Sequence, residues 1–200
     1  HLVGAGRGTE VFARMAGSLG WSVTVLDHRP ALLDALQVDD VVQRRHVRQL
    51  DAIGEALHAL PADSRTAVAL LTHIFDVDLA WMAATLPLPV GYVGVLGSRT
   101  RGAQLIERVE PLLAERGTPL TGRQKHKLYA PIGLDLGGES PASIALAAIA
   151  EIEAVMHARP GGFLRERVSP IHGRTPTPLS RPSTPLSTPS GSRAAAMAPA

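Results

Sequence analysis

Residues 66–72 read TAVALLT and residues 90–97 read VGYVGVLG. Neither run alternates apolar with polar positions, as a strand with one wet face would. A continuous apolar run of this length, closed by a polar residue or a glycine, marks a parallel strand buried on both faces. Working outward, further strands are predicted at Leu2-Val3 and Ser22–Leu26, with a weaker one at Lys127–Ala130. Between them, helical periodicity covers Gly8–Leu19, Asp51–Leu60, Asp78–Leu86, Ser98–Arg116 and Pro141–His157. Strands that alternate with helices in this way specify an α/β fold: a Rossmann-like, doubly wound, mostly parallel sheet with helices on both faces. The segment Gln37–Gln49 leaves two readings open, a short strand at Val41-Val42 or an edge segment near Val47.

The composition suits such a core. Of 200 residues, 45% are apolar, but only 4% are aromatic, so Ala, Leu, Val and Ile must fill the interior. No cysteine is present, which excludes disulfides and thiolate chemistry within this chain and fits a cytoplasmic protein. No run is long enough to span a membrane, and the opening HLVGAG lacks the pattern of a secretion signal. The last forty residues hold five arginines against one acid, a net +4, so the first 160 carry −2 of the chain's overall +2. The basic balance therefore belongs to the tail. Eight of the sixteen prolines fall at or beyond Pro160, and the residues from 174 to 200 are rich in Pro, Ser, Thr and Ala. Such a segment buries too little apolar surface to offset its ordering entropy and is expected to be disordered. The expected organisation is a Rossmann-like domain over 1–159, an extension over 160–173 and a tail over 174–200.

Three glycine turns follow predicted strands. The first, VGAGRGTE, places Gly4 and Gly6 at the first two positions of the dinucleotide fingerprint, where they permit a tight turn and close approach of a pyrophosphate. The third position is Thr9, whose side chain is expected to loosen the packing of helix on strand. Asp27 closes the next strand, where a ribose-binding acid sits in this motif, with His28 beside it. The second turn, GVLGSRTR, sets Gly97 and a capping Ser98 before Arg99 and Arg101. Two arginines in a first helical turn oppose the helix dipole, which points to an anionic ligand such as phosphate. Thr72 and His73 end another strand on the same sheet edge; Asp78 is expected to cap the helix after them. The third turn, APIGLDLGGESP over 130–141, surrounds Asp135 with glycines and runs through Glu139 and Ser140-Pro141 into a helix N-terminus, a ready anion site. No nucleophile constellation is present, so no catalytic residue is assigned. No spacing of histidines and acids suggests a metal site, and Lys125-His126-Lys127 reads as a solvated loop rather than a nucleic-acid patch.

Taken in order, GAG, WSVTVLDHRPALL, LLTH, YVGVLGSRTR, APIGLDLGGESPASIALAAIAEI and GGFLRERVSPIH resemble the C-terminal Rossmann domain of the XdhC/CoxI family over roughly residues 1–173. The resemblance implies an accessory maturation protein rather than an enzyme. Such proteins bind molybdenum cofactor, as molybdopterin or its dinucleotide, protect it, and insert it into an apo molybdenum hydroxylase of the xanthine dehydrogenase or CO dehydrogenase type. A cysteine desulfurase and a second copy of the chain are further expected partners. Carried over residue by residue, the cofactor-binding set is Gly4, Gly6, Asp27, His28, Thr72, His73, Gly97, Ser98, Arg99, Arg101, Asp135 and Glu139. Three departures stand out: the family's preceding domain with its glycine-cysteine segment is missing, the first strand is short, and Ile74 stands where the family often has an acid. The chain is thus expected to be part of a longer protein. Two alternatives stay open: an NAD(P)-binding oxidoreductase, and a truncated, non-functional Rossmann fragment.

Overall fold

A computed structural model describes residues 1–168. Residues 1–161 form one compact unit, and the described residues 162–168 belong to a second. The first unit is built on six parallel strands: β1 Leu2–Val3, β2 Thr24–Asp27, β3 Gln43–His46, β4 Ala67–Leu70, β5 Tyr92–Val95 and β6 Leu128–Tyr129. Their order across the sheet is β3-β2-β1-β4-β5-β6, the doubly wound Rossmann order with its switch point between β1 and β4. The helices are α1 Arg7–Ser18, α2 Pro30–Ala35, α3 Ile53–His58, α4 Phe75–Thr85, α5 Arg99–Glu115, α6 Gly122–His126 and α7 Pro141–Met156.

The unbroken apolar strands sort their side chains by alternation. Val3, Leu26, Val68, Leu70, Val93 and Val95 face a core shared with α3, α4 and α5. Leu2, Val25, Ala69, Leu71 and Tyr92 face the opposite core, made with α1, α2 and α7. Burying a full Leu or Val side chain stabilises by roughly 1.5–3 kcal/mol, so two filled faces hold even a two-residue central strand in register. Pairing also runs past β1's formal ends: Ala69 N–H donates to His1 C=O at 2.9 Å, and Gly4 N–H to Leu26 C=O at 2.8 Å.

Four local expectations need correction. The helix placed at Asp78 begins three residues earlier at Phe75, with Ile74 as its N-cap; Asp78 lies inside the helix and is fully buried, so it caps nothing. The third strand occupies Gln43–His46, between the two placements considered for it. Its residues are mostly exposed because it is an edge, and an edge strand carries no apolar signature. Two short helices carry no periodic signal: α2 starts on Pro30 at its first position, and α6 starts with a capping box between Thr121 and Gln124. Within α6, Lys125 pairs with Glu110 at 2.8 Å rather than lying in a loop.

In the second unit, Leu164–Glu166 form a single 3-10 turn, and the Arg165 guanidinium lies 4.2 Å from the centre of the Phe163 ring. The tail expected to be disordered lies outside the described residues. Among the described residues no helix is long and apolar enough to cross a membrane.

Candidate functional site

Because every strand is parallel, the loops after β1, β4, β5 and β6 open on one edge of the sheet, the edge where such folds bind ligands. A cavity of about 460 Å³ lies there. Phe12, Leu71, Ile132, Ala145 and Ala148 make apolar walls between α1 and α7, while Gly6, Arg7, Gly8, His73 and Gly97 form its polar mouth. A mostly apolar cavity of this size with a few polar groups is the usual form of a small-molecule site.

The glycine turn after β1 is shaped by close approach. Gly4 has φ of +111°, and a Cβ there would fall 2.9 Å from the main chain at Leu71 and Thr72. Thr9, expected to loosen this turn, tightens it: the side chain is buried and its hydroxyl donates to Gly4 C=O at 2.5 Å. A small polar side chain at the third fingerprint position thus replaces close helix–strand contact with a hydrogen bond. The α1 N-cap is Gly6, which offers no side-chain acceptor. Ser98 and Ser140, by contrast, cap α5 and α7 with their own hydroxyls. Thr9 N–H bonds Gly6 C=O at 3.0 Å, while the Arg7 and Gly8 amides border the cavity with no side-chain acceptor, beside the positive end of the helix dipole. Arg7 stands at the same spot with no intramolecular partner among the described residues. The sequence reading passes over it, although an arginine in a first helical turn is the same signal that draws attention to Arg99 and Arg101.

Asp27 and Thr72 lie beneath the mouth. The Asp27 carboxylate accepts from Ala5 N–H at 2.6 Å and from the Arg29 main-chain N–H at 2.8 Å. It also receives Arg29 Nε at 2.9 Å and a second guanidinium nitrogen at 2.8 Å. Burial pushes its pKa up, but the Arg29 side chain and these amides outweigh burial and hold it below the ordinary carboxylate value. His28 Nδ1 lies 3.4 Å from the same carboxylate.

Thr72 Oγ1 donates to the buried Asp78 at 2.6 Å, and Asp78 receives Arg101 at 2.7 Å. Arg101 also donates to Leu96 C=O at 3.3 Å and sits over the Phe75 ring. The expectation that Arg99 and Arg101 act together on an anion therefore changes. Arg101 is turned inward to neutralise Asp78, and Arg99 alone remains exposed and unpaired among the described residues.

His73, exposed at the mouth, has φ of +60°. A non-glycine residue in the left-handed region is uncommon, and such strain collects at binding sites. Asp135 and Glu139 do not line the main cavity. They border a shallower depression of about 320 Å³ on the far side of Ile132 and Ile144. The loop that carries them is anchored at its start, where Glu151 of α7 accepts from Gly133 N–H at 2.9 Å and from the hydroxyl of buried Tyr92. Burial, then the Glu151 contact, keeps that phenol protonated far above its ordinary range.

The predicted residues thus sort by place. Gly6, His73 and Gly97 border the cavity. Gly4, Asp27, His28, Thr72, Arg99 and Arg101 lie outside its lining; Ser98 serves as a cap, and Asp135 and Glu139 border the second depression. Among the described residues no group of three or more His, Asp or Glu side chains is placed to hold a metal ion.

Residues 1–152 match the family model described as the XdhC Rossmann domain. The chain is 29% identical over 172 residues to the uncharacterized protein YqeB of Escherichia coli, covering 84% of this chain and 29% of that protein. It is 27% identical over 154 residues to a protein of Bacillus subtilis named as a probable xanthine dehydrogenase subunit, covering 76% of this chain and 41% of that one. The chain thus spans less than half the length of either relative. A crystal structure described as a xanthine dehydrogenase from Bacillus halodurans shares the fold, with a TM-score of 0.61 and 23% identity over 79% of this chain and 42% of that chain.

Proposed function

Since this chain belongs to the XdhC Rossmann-domain family, we propose that it binds the molybdenum cofactor in the cavity between α1 and α7 and serves the maturation of a molybdenum hydroxylase. The observation that carries the proposal is the pairing of an apolar slot of about 460 Å³ with uncapped α1 amides and Arg7 at its mouth. The donor set suits a phosphorylated pterin. The faces of the heterocycle stack against Phe12, Ile132 and Ala148, and its polar edge is left to the mouth, where His73 and the main chain of the glycine turns lie; the phosphate finds the amides that open α1 and the Arg7 guanidinium. His73 offers a hydrogen bond at the rim. The cofactor, once delivered, supplies the client enzyme's redox chemistry; this chain's part is to hold it and keep water off its ring. The likeness to a relative named for xanthine dehydrogenase supports a hydroxylase as the client.

Titration of the protein with released molybdenum cofactor is the test. Saturable binding is expected, weakened about tenfold or more in Arg7→Ala, since a hydrogen bond to a charged group contributes about 1.5–3 kcal/mol. Absence of binding, or equal affinity of wild type and Arg7→Ala, contradicts the proposal.

A further inference from the structure

We infer that Asp27 and Arg29 form an internal lock that closes the ribose subsite of this Rossmann turn, so that the site discriminates against nicotinamide dinucleotides and favours a ligand without an adenosine ribose. The inference rests on the cavity being the ligand site, as proposed above, but its central claim concerns only this chain's own residues.

In a glycine-turn βαβ unit, the acid that ends the second strand holds the adenosine ribose through its hydroxyl donors. That role needs free acceptor positions on the carboxylate. An ionised carboxylate has about four. Here all four are filled from within the chain. Oδ1 accepts the Arg29 amide at 2.8 Å and Arg29 Nε at 2.9 Å; Oδ2 accepts the Ala5 amide at 2.6 Å and the second Arg29 guanidinium nitrogen at 2.8 Å. The Asp27 side chain is wholly inaccessible, and the Arg29 side chain that covers it is 37% exposed. A ribose diol cannot bond this acid without displacing the guanidinium, an exchange of a charge-assisted pair for two neutral donors. Nor does Arg29 offer an uncompensated charge to the 2′-phosphate of NADP(H), because its guanidinium is already paired with Asp27. Asp27 also braces the α1 turn through the Ala5 N–H at 2.6 Å, and the lock leaves the Arg7 and Gly8 amides of that turn open, so a ligand without an adenosine ribose loses nothing.

Removing the guanidinium frees one position on each carboxylate oxygen while both main-chain donors stay, which is the pair of sites a ribose diol needs. The experiment is a fluorescence titration of the full chain with NADH and NADPH, comparing wild type, Arg29→Ala and Arg29→Leu; the leucine keeps the apolar stem where alanine would leave a gap. Wild type is expected to bind both dinucleotides weakly, with dissociation constants of about a millimolar and within about threefold of one another. At least one of the two variants, folded by circular dichroism, is expected to gain tenfold or more in NADH affinity.

Micromolar NADH binding by wild type overturns the inference, as does a clear wild-type preference for NADPH, which would show Arg29 swinging to a 2′-phosphate. Failure of both variants to gain NADH affinity overturns it as well. A parallel titration with molybdenum cofactor separates the two readings. If wild type ignores that cofactor yet Arg29→Leu gains NADH, the lock stands and the maturation role falls.

Discussion

His73 is held with φ of +60° at the mouth of the cavity, a conformation that costs an imidazole-bearing residue stability and costs glycine little. Its ring has no intramolecular partner among the described residues, so nothing within the fold repays that strain. His73→Gly is therefore expected to stabilise the protein by about 1 kcal/mol in urea denaturation while weakening ligand binding. A destabilised variant would show that the imidazole is structural. At this scale the sequence is legible in part. Gly4, Gly6, Asp27 and His73 can be picked out from their positions after strands. What they touch cannot. Whether Asp27 faces a ligand or Arg29 depends on a rotamer two residues along. Whether Thr9 loosens or tightens a turn depends on a hydroxyl finding a carbonyl five residues back.

Among the elements, α4 and α5 are joined by one buried ion pair at the end of β4. Asp78 is fully buried and Arg101 largely so, with Thr72 completing the carboxylate's hydrogen bonds. Removing one partner of such a pair leaves an uncompensated charge and costs about 3–5 kcal/mol. Arg101→Ala is accordingly expected to lower stability by several kcal/mol, whereas Arg99→Ala, two residues away and exposed, should change it by less than about 0.5 kcal/mol. Chemical denaturation of the two variants measures the difference; equal stabilities would remove Arg101 from the scaffold. Sequence periodicity places α1, α5 and α7 within a residue or so, because long amphipathic or capped helices announce themselves. It misplaces the start of α4, because Phe75 to Asp78 mixes apolar and acidic residues that also fit a loop. It passes over α2 and α6, each too short to complete a periodic pattern.

For the whole molecule, the central strands are readable because parallel strands buried on both faces leave unmistakable apolar runs; the edge strand β3, wetted and arginine-rich, is not. The two faces also differ in role. The cavity-wall residues Phe12, Ile132, Ala145 and Ala148 all belong to the α1–α7 core and none to the core with α3, α4 and α5. Ligand binding should therefore slow amide hydrogen exchange in the first turns of α1 and α7 more than in α3. At a hundredfold excess over the dissociation constant, global stability should also rise by about 2.7 kcal/mol. Uniform protection without a local excess on α1 and α7 would place the ligand elsewhere.

The β3 edge has a consequence for how copies of this chain meet. Among the described residues Gln43–His46 pair only with β2, so their outer hydrogen-bonding groups are a template for strand addition. Arg44, Arg45 and Arg48 sit along that border, and a second copy arriving edge to edge would bring the same cations against them. At the opposite border β6 is only two residues long and offers few outer hydrogen-bonding groups. Charge along β3 and brevity at β6 thus both work against edge-to-edge growth of the sheet, and a strand carrying carboxylates suits the β3 border best.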